Sequence, residues 1–351
     1  MVKESFGTDG RDNPVELFTL SNGNGTKVKI STLGATVVSF LFLDKTGTLR
    51  DVVLGYDSAE DYLKNNGLYF GASVGRCANR ISNAKVTIDG VEYALEANSG
   101  SNNLHSGSNG ISYKIWEVEH IDEEANCLAL KIVSADLEQG FPGNMTIRAI
   151  FTLTEEDALH IEYQAVSDKT TIANFTNHSY FNLAGHDSGN ISGQKLKLYA
   201  KAFTPLAPKD SIPTGEICSV EGTPFDFTDF KEIGRDIEAT DKQITYARGY
   251  DHNFVLENQG ELKLMAEAEC EETGIHLYAY TDRPGVQLYT GNFIHGHMGK
   301  QGAFYGERHG FCLESQYYPD AFRHPDFQKP LILAGEAYKA HTVFRLKLKE
   351  D

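Results

Sequence analysis

The chain is short of positive charge. Its 32 Lys and Arg residues face 49 Asp and Glu residues, a formal net charge of −17. Nucleic acids and anionic membrane surfaces both require a basic footprint, so neither is an expected partner, whereas a neutral ligand remains compatible. Cysteine is scarce and scattered. The five thiols (Cys77, Cys127, Cys218, Cys270 and Cys312) are odd in number and include no C-x-x-C pair. That argues against a disulfide framework or a zinc site and fits free thiols in a reducing compartment. Long apolar runs are missing as well. The longest, Val37-Val38-Ser39-Phe40-Leu41-Phe42-Leu43, falls far short of the ~20 residues of a membrane helix. No basic segment followed by an apolar core opens the chain, so a cytoplasmic protein without a secretory leader is expected. The two common phosphate cradles, G-x-G-x-x-G after a strand and G-x-x-x-x-G-K-[ST], do not occur, and no cofactor is expected.

What is present is a globular composition: 40% hydrophobic, 23% charged, with 33 Gly against 10 Pro, which favours many turns over disorder. At 351 residues the length suits one large domain or two ordinary ones. The hydrophobic period is two almost throughout. Val28 and Ile30 alternate with lysines; Met145, Ile147, Ala149, Phe151 and Leu153 form a long alternating run; Leu159, Ile161 and Tyr163 answer it; Phe344, Leu346 and Leu348 repeat it near the end. This is the signature of half-buried strands. Asp89-Gly90 between two such runs is a strong hairpin signal. Helical patterns are short, around 59–64 and 227–237. With no strand–helix–strand alternation, no linker and no repeat, the reading is a single domain over 1–351: an all-β, large antiparallel β-sandwich with a few short helices.

Five islands set polar or charged side chains among aromatics. The first, Asn174-Phe175-Thr176-Asn177-His178-Ser179-Tyr180-Phe181-Asn182-Leu183, carries a histidine amid hydrogen-bonding side chains, a setting that suits a sugar's polar edges and C–H faces. His178 is either a satisfied core histidine or a general acid–base group. Asn79-Arg80-Ile81 offers the rigid donor fork of Arg80, which can bind two hydroxyls or form a salt bridge at a strand end. Asn102-Asn103-Leu104-His105 places a histidine in a polar loop. Asp251, in Tyr250-Asp251-His252-Asn253-Phe254, either accepts from a ligand hydroxyl or caps a turn. Glu314 lies in the apolar run Phe311-Cys312-Leu313-Glu314-Ser315-Gln316. If it faces inward it must be paired or shifted in pKa, which is how a carboxylate becomes a base near neutrality. His295-Gly296-His297 has a metal-like spacing but no third ligand nearby. A set of His105, His178 and Asp251 or Glu314 would match a two-histidine–carboxylate metal site, though 12 histidines offer many such combinations.

Together the islands resemble the aldose 1-epimerase (galactose mutarotase) family. The motifs are Asn79-Arg80-Ile81, Asn102-Asn103-Leu104-His105, Asn177-His178-Ser179-Tyr180-Phe181-Asn182-Leu183, Tyr250-Asp251-His252-Asn253-Phe254, Gly285-Val286-Gln287-Leu288-Tyr289-Thr290, and Leu313-Glu314-Ser315-Gln316 with Pro319-Asp320-Ala321. They stand in the family's order from about residue 15 to the C-terminus. The resemblance implies the galactose mutarotase-like supersandwich with an open cleft on one face. It makes His178 the general acid and Glu314 the general base, with His105 beside the ring oxygen. Asn79, Arg80, Asp251, Gln287 and Tyr180 would bind the sugar or hold the catalytic groups. Ser106 departs from the glycine common there.

The implied activity is interconversion of the α and β anomers of free hexoses such as galactose and glucose, with acid and base on opposite sides of the ring and neither metal nor cofactor. A monomer or weak homodimer is expected. A non-catalytic sugar-binding module and a hexose-6-phosphate epimerase are the competing readings.

Overall fold

Residues 145–153 show how the period-two pattern becomes structure. Met145, Ile147, Ala149, Phe151 and Leu153 are buried and the residues between them half-buried, because successive side chains leave opposite faces of a strand. The computed structural model describes residues 1–257 and 260–349, and strands dominate it. Among the described residues no helix is long and apolar enough to cross a membrane.

Three antiparallel sheets carry the architecture. A five-stranded sheet runs in sequence order through Val2–Thr8, Pro14–Ser21, Lys27–Ser31, Thr36–Leu43 and Leu49–Asp51. A nine-stranded sheet is built around Ala337–Leu348, which pairs with Ala158–Ser167 on one side and Ile275–Thr281 on the other. The C-terminal strand thus joins segments distant in the chain. The third sheet has six strands in the order Tyr180–Phe181, Phe311–Gln316, Gly285–Tyr289, Asp251–Val255, Ala202–Thr204 and Cys218–Ser219. One apolar cluster draws on all three, including Phe18 and Phe40, Ile147 and Phe344, Leu288 and Leu313. Each large side chain so buried stabilises the fold by roughly 1.5–3 kcal/mol.

The Asp89-Gly90 hairpin forms as expected. Ile88 pairs with Val91, and both turn residues have positive φ, +50° and +78°, as a two-residue type I′ loop requires. The helix at Ala59–Lys64 also forms, its N-terminus capped by Ser58, whose Oγ accepts the Asp61 N–H at 3.2 Å. The helix expected over 227–237 does not. There Asp226 Oδ1 accepts from both the N–H and the hydroxyl of Thr228, a local turn that competes with helix. Turns and the two-residue strand Lys231–Glu232 follow, and Phe227, Ile233 and Ile237 plug the core one by one. The second helix instead spans Lys242–Ala247, capped by Asp241.

The six-stranded sheet positions the site. Val286, Leu288, Leu313 and Phe254 point into the core. The alternate residues, Gln287 opposite Glu314, Asn253 opposite Gln287 and Asp251 opposite Tyr289, share the other face. A carboxylate on the face opposite the core, amid an apolar strand, is therefore the result of strict alternation.

Candidate active site

His178 emerges between two short strands, Thr176–Asn177 and Tyr180–Phe181. Its N–H donates to the Ala72 carbonyl and its own carbonyl accepts from Gly71, both at 2.9 Å. The imidazole runs nearly parallel to the rings of Tyr180 (centroids 5.0 Å apart) and Tyr69 (5.9 Å), with His105 edge-on at 5.4 Å. Its Nδ1 lies 3.5 Å from the Cys312 sulfur. Its Nε2 lies 3.6 Å from Oε1 of Glu314. The ring is held from every side.

The polar neighbours of His178 in sequence are spent elsewhere. Asn177 donates to the Gly71 carbonyl and accepts from Ser179, while Asn182 donates to the carbonyls of Gly189 and His309. Of that island only His178 and Tyr180 reach the hollow described below.

His105 follows the two-residue strand Asn103–Leu104, which pairs with Arg80–Ile81. Asn79 and His105 both adopt left-handed backbone, φ +63° and +52°. The Asn79 N–H donates to His105 Nδ1 at 3.1 Å, so the neutral ring carries its proton on Nε2. Ser106 is left-handed too, φ +68°, a conformation natural to glycine. Its hydroxyl offsets the strain by accepting the Cys77 N–H at 2.8 Å and donating to the Cys77 carbonyl at 3.2 Å.

His178, Glu314, His105, Asn79, Arg80, Asp251 and Tyr180 all line one hollow of about 620 Å³, its open mouth included. Gln287 stands one layer behind, donating to Asp251 Oδ1 at 2.7 Å. Arg80 Nη1 approaches Asp251 Oδ2 at 3.9 Å. Three aromatic walls escaped the sequence reading: Tyr69, Tyr289 and Phe293. Tyr289 was legible in principle, since it follows Gln287 by two on the same strand face; Tyr69 and Phe293 sit in loops with no period to betray them.

Burial shifts the titrating groups. It pushes Glu314 well above the usual carboxylate range, helped by the charge of Asp251 and opposed by Arg80. It lowers His178 to about 4. It also drives His105 well below the ordinary imidazole value, with His178 and Arg80 adding to the effect. A carboxyl that resists ionising beside an imidazole that resists charging leaves the pair's one proton resting on Glu314. Two wall atoms have no partner among the described residues, Oε2 of Glu314 and Nε of Arg80.

The donor atoms of His105, His178 and Glu314 lie within 4.8 Å of one another, a possible ligand trio. The outer contacts do not fit a metal. A ligating histidine donates its second ring N–H to an acceptor, but Nδ1 of His105 faces the Asn79 N–H donor. Ligation through Nε2 would leave two donors opposed or demand an imidazolate. His295 is exposed and His297 begins a short strand; neither joins a three-ligand group among the described residues.

Comparison with known proteins agrees with this geometry. The family model for aldose 1-epimerase matches residues 16–345. The galactose mutarotase of Bos taurus is 41% identical over 335 residues, covering 95% of this chain and 94% of that protein. The aldose 1-epimerase of Escherichia coli (strain K12) is 35% identical over 348 residues, 98% and 99% of the two chains. Among solved structures, the GalM/aldose epimerase homologue from C. elegans superposes with a TM-score of 0.87 at 28% identity, over 95% of this chain and 99% of that one. The galactose 1-epimerase from Lactobacillus acidophilus NCFM gives 0.86 at 27% identity over the whole of both. By sequence, fold and the placement of its motifs, the chain belongs to the aldose 1-epimerase family.

Proposed function

We propose that this protein is an aldose 1-epimerase acting on free hexoses of the galactose and glucose type, with His178 and Glu314 moving the protons. One observation carries the reading: a buried imidazole and a buried carboxyl lie 3.6 Å apart in the wall of a sugar-sized hollow.

Anomer exchange opens the C1–O5 bond, turns about C1–C2 and closes the ring on the other face. Opening removes a proton from the C1 hydroxyl and delivers one to O5. The productive form carries the pair's one proton on His178; Glu314 then takes the first and His178 gives the second, and closure reverses both steps and restores the pair. At 3.6 Å no ring fits between the two groups, so the arrangement across the pyranose expected from sequence gives way to a side-by-side one. That suits the chemistry, because O1 and O5 are bonded to the same carbon. His105, with its proton on Nε2, is a donor toward the ring oxygen. Arg80 and Asp251 hold hydroxyls, Asn79 and Gln287 hold those two in place, and Tyr180 backs the imidazole. The rings of Tyr69, Tyr289 and Phe293 suit the C–H faces of the sugar.

A hexose 6-phosphate is disfavoured: of the lining side chains only Arg80 is a permanent cation, against two carboxyl groups. The apolar cluster common to all three sheets supports a single domain over 1–351. Five unpaired cysteines support a reducing, cytoplasmic location. A complete set of proton-transfer groups from one chain supports function as a monomer or weak homodimer.

Polarimetry on freshly dissolved α-D-galactose and α-D-glucose tests the reading. Rotation should relax far faster than in buffer alone; binding without acceleration would leave a sugar-binding module instead.

A further inference from the structure

Behind the sugar-facing wall lies a chain of side-chain amides that the proposed chemistry does not use, and Gln316 is its hub. Gln316 follows Glu314 by two residues, shares its strand face and is fully buried; it does not itself line the hollow. Its Nε2 donates to Gln287 Oε1 and to Asn253 Oδ1, each at 3.2 Å. Its Oε1 accepts from Asn79 Nδ2 at 3.3 Å. Beyond Gln287 the chain ends on Asp251 Oδ1 at 2.7 Å. Beyond Asn79 it ends on the Arg80 N–H, which donates to Asn79 Oδ1 at 2.8 Å. The backbone N–H of the same Asn79 holds His105.

The chain has a direction. A carboxylate only accepts, so Asp251 obliges Gln287 to turn its NH₂ outward. The Gln287 oxygen then requires an NH₂ from Gln316, whose oxygen requires one from Asn79, whose oxygen is left for the Arg80 N–H. One orientation satisfies every link, and reversing any amide would set like groups face to face in a buried space. Gly285 makes the room. It lies opposite Gln316 in the ladder, and a Cβ there would stand 2.4 Å from Asn253 Oδ1.

We propose that Gln316 is a positioning residue that ties the His105–Asn79–Arg80 rim to the Gln287–Asp251 rim, so that both meet the sugar in one fixed arrangement. This rests on the epimerase reading of the hollow. Gln316→Met keeps the volume without the hydrogen bonds; Gln316→Glu keeps the shape but replaces the NH₂ donor by an acceptor. With the thermal midpoint as a check on folding, Gln316→Met should lose about 10–100-fold in kcat/KM, the scale set by small misplacements of reacting groups. The double variant Gln287→Met/Gln316→Met should be no worse than the poorer single one, because both cut the same chain. Gln316→Glu should regain activity as pH falls through its buried carboxyl's raised pKa and a donor returns, a gain the unaltered protein does not show.

A folded Gln316→Met with unchanged kcat and KM overturns the proposal, as do losses that multiply in the double variant. Should Gln316→Met not fold, a Gln316→Glu pH profile parallel to that of the unaltered protein overturns it. Turnover by the unaltered protein tests the epimerase reading separately. If that protein binds galactose without turnover, the same comparisons are made on Kd.

Discussion

Nε2 of His178 and Oε1 of Glu314 meet at 3.6 Å, both side chains all but closed to solvent, at 5% and 3% exposure. Glu314 lies on a strand of the six-stranded sheet and His178 just ahead of the neighbouring strand, brought together because Tyr180 pairs with Cys312 and each catalytic candidate stands two residues from that pair. The register of a single ladder sets their separation.

Replacing Glu314 by Gln keeps the shape of the wall and removes its proton acceptor. Mutarotation should fall by about 10²–10⁴-fold, the usual range for a positioned acid or base, with galactose affinity by calorimetry largely kept. A near-normal rate in polarimetry would refute the assignment.

His178→Asn should lower the rate similarly, and the pH profile of kcat/KM should change shape. In the unaltered protein the pair works while holding one proton. Below about 4 His178 takes a second proton and no base remains; above the raised value of Glu314 the last proton leaves and no acid remains. A bell is expected, and His178→Asn should lose one limb of it.

Stability should depend on acid through the buried histidines. His178 and His252 titrate at about 4 and about 3 in the folded chain against about 6.5 unfolded. The unfolded chain therefore binds more protons below pH 6.5, and stability falls as pH drops through that window. Each group contributes about 1.4 kcal/mol per pH unit until its folded value is reached. Glu314, whose folded value is raised, acts oppositely, disfavouring the fold as pH rises above the ordinary carboxylate value. Urea denaturation between pH 4 and 6.5 checks the net slope, expected to be upward because the depressed imidazoles of His178, His252 and His105 outnumber the raised carboxyl of Glu314.

Ser106→Ala keeps the left-handed strain and strands the Cys77 N–H, a loss of about 1–3 kcal/mol for an orphaned buried donor. Ser106→Gly strands the same N–H but relieves a left-handed penalty of about 1–2 kcal/mol. Chemical denaturation should rank the unaltered protein first, Ser106→Gly second and Ser106→Ala last.

Activity should be indifferent to EDTA. The histidine trio lies within metal-binding reach, yet the Asn79 N–H commits His105 to the tautomer a metal cannot use. A rate that falls with chelator and returns with zinc would show that this commitment can be broken.

The linear pattern of residues already carried the class of fold: an alternation of two, read in Met145–Leu153, forces side chains to opposite faces, and Asp89-Gly90 reverses direction because both positions tolerate positive φ. Alternation left the face of Glu314 open until the sheet turned Leu313 to the core and Glu314 to the hollow. Local signals failed where distant contacts prevailed. Phe227 to Ile237 reads as a weak helix, but an Asp226–Thr228 turn and three separate core plugs hold it otherwise. The short-range pattern could not tell which polar residues of the His178 island would be consumed by backbone groups, nor that Tyr69 and Phe293 would wall the hollow. Those facts depend on strand register and loop closure between segments far apart in the chain. The protonation of His178 and Glu314 belongs with them, since the depth of burial that shifts both groups exists only after the sheets have closed.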